Sequence, residues 1–124
     1  MPRILIIDDD LEVLAALSTV ISAHGYVVIT TPDGREALRI HQSTPVDVVI
    51  TDILMPQIDG IELIRALRDR DPNVKLIAIS GGGWAEPDQF LTMATRFGAN
   101  ATFSKPLPWN SLLETLAALS AKTT

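Results

Sequence analysis

Several short runs of this chain are apolar without alternation, and that pattern narrows the folds open to it. Ile4-Leu5-Ile6-Ile7, Val48-Val49-Ile50 and Leu76-Ile77-Ala78-Ile79 offer no polar face. Strands that read as continuous aliphatic runs belong to parallel sheets covered on both sides. A 47% hydrophobic composition over 124 residues supplies enough apolar surface for one such covered sheet and a single core. Between the runs lie amphipathic segments, so strand and helix alternate five times.

The periodicity predicts strands at Arg3–Ile7, Tyr26–Thr30, Val46–Thr51, Lys75–Ile79 and Ala101–Ser104. Helices are expected from Asp10 to about His24, over Arg35–Gln42 and Ile61–Arg70, from Pro87 to Phe97, and over Trp109–Ala121. Leu14, Leu17 and Ile21 form the inner face of the first helix. Trp109, Leu112, Leu113, Leu116 and Leu119 form that of the last, and Phe90, Met93, Ala94 and Phe97 recur at helical spacing in the fourth. Gly25 and Gly98 stand as C-terminal stops. The fold class is therefore α/β: a (βα)5, doubly wound, parallel five-stranded sheet. Right-handed crossovers favour the flavodoxin-like strand order 2-1-3-4-5.

Four of the strands end in a polar residue suited to phosphate or metal chemistry: Asp8-Asp9-Asp10, Asp52, Ser80 and Lys105-Pro106. In a parallel sheet these emerge together at the carboxyl edge, where sites of open α/β folds form. Order 2-1-3-4-5 makes Asp8, Asp9 and Asp52 neighbours. Three carboxylates in one pocket repel unless a cation holds them ionised. Mg²⁺ suits them as a hard cation with oxygen ligands, and the Leu54 backbone carbonyl is placed to complete the protein's share. Lys105 and Ser80 would neutralise phosphoryl oxygens while Asp52 acts as nucleophile. No histidine or glutamate is placed as a general base.

These residues, with Asp52-Ile53-Leu54-Met55-Pro56-Gln57-Ile58-Asp59-Gly60, resemble the receiver domain of two-component response regulators, and the resemblance spans essentially the whole chain. It implies a phosphorylatable switch rather than an enzyme. Asp52 would accept a phosphoryl group from a sensor histidine kinase or histidine phosphotransfer protein, with Asp8 and Asp9 on Mg²⁺. Lys105 would contact the phosphoryl group, and Ser80 would swing toward it. The surface expected to change is helix 87–97, strand 101–104 and helix 109–121, toward a downstream protein target or an output domain; phosphorylation-dependent dimerisation is a further expectation. Where the family often carries Tyr or Phe, three residues before the lysine, this chain has Thr102. Phe103 follows one place later and so belongs to the opposite face. Leu54 and Gly82 would flank the path of attacking water.

Other classes are weaker. An aspartyl-phosphate phosphohydrolase usually needs a second aspartate where Leu54 stands, and a phosphorylation-independent interaction module would not need Asp52, Ser80 and Lys105 together. A net charge of −5 argues against nucleic acid as a partner. No apolar stretch approaches the ~20 residues of a membrane span. With no cysteine and no signal peptide, the expected setting is cytoplasmic. The expected organisation is one domain, 1–124, with no output domain. Asp10 is read as a helix cap, Asp59-Gly60 as turn chemistry, and Arg65, Arg68, Arg70 and Lys75 as a solvated basic face. His24 and His41 are read as structural or solvated, and Trp84 as either packing or partner contact.

Overall fold

The computed structural model describes residues 2–53, 60–81 and 87–120, with backbone only for 87–91. Five strands, β1 (Arg3–Ile7), β2 (Val27–Thr31), β3 (Val48–Asp52), β4 (Lys75–Ser80) and β5 (Ala101–Ser104), form one parallel sheet in the order β2-β1-β3-β4-β5. The helices between and after them are α1 (Leu11–Ala23), α2 (Gly34–Ser43), α3 (Gly60–Arg70), α4 (Pro87–Arg96) and α5 (Trp109–Ser120). The expected fold class and strand order are those observed. The boundaries differ at three strands: β2 is shifted one residue later than periodicity suggested, β3 begins at Val48 rather than Val46 and runs on to include Asp52, and β4 runs on to include Ser80.

The two faces of the sheet divide the core. Ile4, Ile6, Val48, Ile50, Ile77 and Ile79 point toward α1 and α5, where they meet Leu14, Leu17, Ile21, Leu112 and Leu116. Leu5, Ile7, Val49, Leu76 and Ala78 point toward the other side and pack with Ile61, Leu63, Ile64, Leu67 and Ala94. Both faces of β1, β3 and β4 are thus buried, which is why those strands could carry no polar alternation. Full burial of a large aliphatic side chain contributes about 1.5–3 kcal/mol, so these three strands anchor the domain.

Helix ends follow side-chain chemistry. Asp10 caps α1, its carboxylate accepting the N–H groups of Glu12 (3.0 Å) and Val13 (3.4 Å), and Asp33 caps α2 through the Arg35 N–H (2.8 Å). Gly25 ends α1 at φ 91°. Of the stripe expected on α4, the Phe90 side chain lies outside the described residues, and among the others Ala94 reaches the core. Met93 and Phe97, one turn apart on another side of the helix, remain 43% and 36% exposed. Trp109, Leu113 and Leu119 are half-buried against the α1–α5 cluster.

Candidate phosphoacceptor site

Strand register brings the polar tips together. Ile7 pairs with Thr51, Asp52 with Ile79, and Ser80 with Ser104, so Asp8, Asp52, Ser80 and Lys105 rise from one edge of four adjacent strands. Asp8 is 1% and Asp52 5% exposed, whereas Asp9 faces solvent. One carboxylate oxygen from each of Asp8, Asp9 and Asp52 lies within 4.8 Å of the other two, the only such acidic group among the described residues. An all-oxygen donor set of this span suits a hard divalent cation.

Lys105 is the pocket's own counterion. Its Nζ donates to Asp8 Oδ2 at 3.1 Å and stands 3.5 Å from Asp52 Oδ2. Burial pulls the Lys105 ammonium down, but the Asp52 and Asp8 charges and their hydrogen bonds outweigh it and hold the pKa above the ordinary lysine value. The lysine stays charged, and bridges the two buried carboxylates as a mobile point charge. The second oxygen of Asp8 accepts the Asp10 N–H at 2.9 Å, so that carboxylate is oriented from both sides.

Backbone contacts seat the rest. The Ile53 N–H donates to the Ile79 carbonyl (3.0 Å), and the Lys105 N–H donates to the Ser80 carbonyl (2.9 Å). Gly60, at the start of α3, donates to the Ile53 carbonyl at 2.8 Å. A Cβ at Gly60 would stand 2.4 Å from the Ile53 Cα and 2.5 Å from the Asp52 carbonyl oxygen. Only glycine lets α3 lie this close to the Asp52 peptide. Thr51, buried behind it, donates to the same Asp52 carbonyl at 2.9 Å.

Ser80 is 1% exposed, and its hydroxyl has no hydrogen-bond partner among the described residues. An unmet buried hydroxyl costs about 1–3 kcal/mol, an incentive to find an acceptor in the pocket. Thr102 pairs with Ala78, and Ala78 lies two places before Ser80, so Thr102 shares the Ser80 face of the sheet. Phe103 packs instead in the α1–α5 cluster, as the one-residue offset required.

The structure therefore brings Asp8, Asp9, Asp52, Ser80 and Lys105 to one edge. Leu54, Gly82 and Trp84 lie outside the described residues. Two contributors went unread in the sequence: Asp10, whose backbone orients Asp8, and Gly60, taken only as turn chemistry. Gly60 was legible as a glycine opening a helix, but the peptide it presses on comes from tertiary packing. The basic face also needs correction. Arg70 is exposed, but Arg68 is half-buried, with its guanidinium spent on hydrogen bonds to the neighbouring loops. Loop carbonyls aimed at a helix leave no signature in its spacing. Of the two readings of His41, structural or solvated, the structural one is observed: it is buried and joined to Asp71 at 3.0 Å. A groove of about 540 Å³ beside that pair, lined by Leu38, Pro45 and Leu67, opens at the other end of the sheet from the aspartates.

Residues 4–117 match the family model of the response regulator receiver domain. The response regulator MprA of Mycolicibacterium vanbaalenii is 33% identical over 122 residues, covering 98% of this chain and 52% of that protein. Among solved structures, a response regulator receiver domain protein from Clostridium thermocellum superposes with a TM-score of 0.88 at 27% identity, covering 96% of this chain and 94% of that one. The response regulator TrrA of Thermotoga maritima, in complex with Mg²⁺ and BeF, superposes at 0.84 with 28% identity, over 96% and 99% of the two chains. The chain spans between a third and about half the length of the first curated relatives it matches. The match over nearly the whole chain places this chain in the response regulator receiver domain family.

Proposed function

We propose that the domain is a phosphorylatable switch in which Asp52 accepts a phosphoryl group from a phosphohistidine on a sensor histidine kinase or phosphotransfer protein. The observation that carries this reading is the buried Asp8–Asp52 pair bridged by Lys105 Nζ, with Asp9 within the same 4.8 Å cluster. An Asp52 carboxylate oxygen attacks phosphorus in line. The new P–O bond forms as the P–N bond to the donor imidazole breaks, and the imidazole leaves with a proton taken from the solvent. Asp8, Asp9 and Asp52 would hold Mg²⁺, with the Leu54 carbonyl proposed as a further ligand. The ion supplies neutralisation of the phosphoryl oxygens. Lys105 moves from the two carboxylates onto one phosphoryl oxygen, and the Ser80 hydroxyl donates to another.

Movement of Ser80 is the proposed signal, and Thr102 on the same face offers no ring to follow it. The surface built from α4, β5 and α5 is the proposed output face for a downstream protein or an attached domain. Among the described residues no helix is long and apolar enough to cross a membrane.

Incubation with acetyl phosphate and Mg²⁺ should add one phosphoryl group by intact mass. It should be absent with a chelator and absent in a folded Asp52→Asn variant. Undiminished labelling of Asp52→Asn would overturn the assignment of the acceptor.

A further inference from the structure

Two arginines on α3 reach toward α4, and both meet the chain just past its last turn. The Arg65 guanidinium carbon lies 5.2 Å from the centre of the Phe97 ring, within reach of cation–π attraction. Arg68 extends further. Its Nη1 donates to the carbonyls of Pro72 (2.9 Å) and Val74 (2.6 Å), and its Nη2 donates to the Gly98 carbonyl (2.7 Å) and Asn100 Oδ1 (3.1 Å). Asn100 then locks onto β4: its Oδ1 accepts the Leu76 N–H at 2.8 Å, and its own N–H donates to the Leu76 carbonyl at 2.7 Å. One planar guanidinium thus ties the end of α3, the turn into β4 and the turn from α4 into β5.

Gly98 is fitted to that fork. It sits at φ +120°, where a side chain would be strained, and a Cβ there would stand 2.9 Å from Arg68 Nε. At the other end of β4 the Ser80 hydroxyl is buried with no hydrogen-bond partner among the described residues, and α4 is the next element in the chain. The strand between them is buried along its length and fixed on both sides by β3 and β5.

We infer that Arg68 is a positioning residue that holds the C-terminal end of α4 as a fixed pivot, so that a phosphoryl group at Asp52 swings the helix from its first turn rather than sliding it along the sheet. This rests on the reading of Asp52 as phosphoacceptor. The impulse enters at Ser80, beyond which the chain leads to the N-terminal end of α4. Sliding the helix would break the charge-assisted bond to Gly98 and displace Asn100, two links made by the same guanidinium. A swing about Gly98 leaves both intact. A lysine at position 68 keeps the charge and most of the stem but has no planar fork to join four acceptors.

Residual dipolar couplings of the whole chain, with Mg²⁺ alone and with Mg²⁺ plus beryllofluoride as the phosphoryl mimic, test this directly. In the unsubstituted protein the α4 axis should tilt against the sheet, while the N–H vectors of Gly98, Ala99 and Asn100 keep the orientation of β4 and β5. In Arg68→Lys the Gly98 and Asn100 amides should exchange with solvent roughly tenfold faster even without beryllofluoride, and their vectors should reorient when it binds. Two results would overturn the pivot: an α4 axis that keeps its direction while the amides around Asp52 respond, or Gly98–Asn100 vectors that turn as far as the first turn. Unchanged exchange in Arg68→Lys would remove the anchor. No response to beryllofluoride anywhere, Asp52's neighbours included, would refute the phosphoacceptor reading and the swing with it, and the exchange comparison would still decide the anchor.

Discussion

At Gly60 a single hydrogen atom in place of a methyl group decides how close α3 comes to Asp52. The peptide joining Asp52 to Ile53 occupies the space a Cβ would need. Gly60→Ala should therefore push α3 away from β3 and lower stability by about 1–3 kcal/mol, as overpacking does, measured by urea unfolding. The motif pointed to Gly60 as a turn residue, and its spacing could not show the approach to Asp52. Asp8, Asp9 and Asp52 were legible because they stand at the carboxyl ends of apolar runs. Their unequal burial was not. Asp8 is enclosed by its neighbours, while Asp9, one residue on, faces water.

Secondary-structure elements are joined at the end of the sheet far from the site by the His41–Asp71 pair. His41 Nδ1 accepts the Val46 N–H at 3.0 Å, which leaves Nε2 as the proton-bearing nitrogen toward Asp71. The end of α2, the approach to β3 and the loop after α3 are thereby tied together. Burial pushes the Asp71 carboxyl up, but the Asn73 N–H, the hydrogen bond from His41 and the Val74 N–H outweigh it and hold the pKa below the ordinary 3.8. A depressed carboxyl contributes stability above its unfolded value and loses it as pH falls through the folded value. Asp71→Asn should therefore be less stable than the parent at neutral pH. The gap should close as pH drops below about 3.8, in melts recorded across that range. Periodicity placed His41 at a helix end but could not show that a loop 30 residues later would supply its partner. The same blindness concealed Arg68.

For the molecule as a whole, the concentration of negative charge at one edge of the sheet sets how stability responds to cations. A divalent ion held by Asp8, Asp9 and Asp52 would bind the folded state alone, and at a hundredfold excess over its dissociation constant would add about 2.7 kcal/mol. Mg²⁺ should raise the melting temperature by several degrees. Asp9→Asn, at an exposed position, should leave the metal-free melting temperature nearly unchanged and abolish that rise; an undiminished rise would take Asp9 out of the ligand set. Sequence alone determined the α/β class, the strand order and which five polar residues meet at the carboxyl edge of the sheet. Continuous apolar strands, helical periods and polar tips are local patterns, and handedness rules leave few ways to assemble them. Tertiary structure decided what depends on residues distant in the chain: which carboxylates are buried, how Lys105 bridges two of them, and how Gly60 presses on the Asp52 peptide. It also turned an arginine from a solvated face into the clasp between α3 and the end of α4. Each of these is a contact between segments whose spacing carries no mark of the other, so only the packed fold could reveal them.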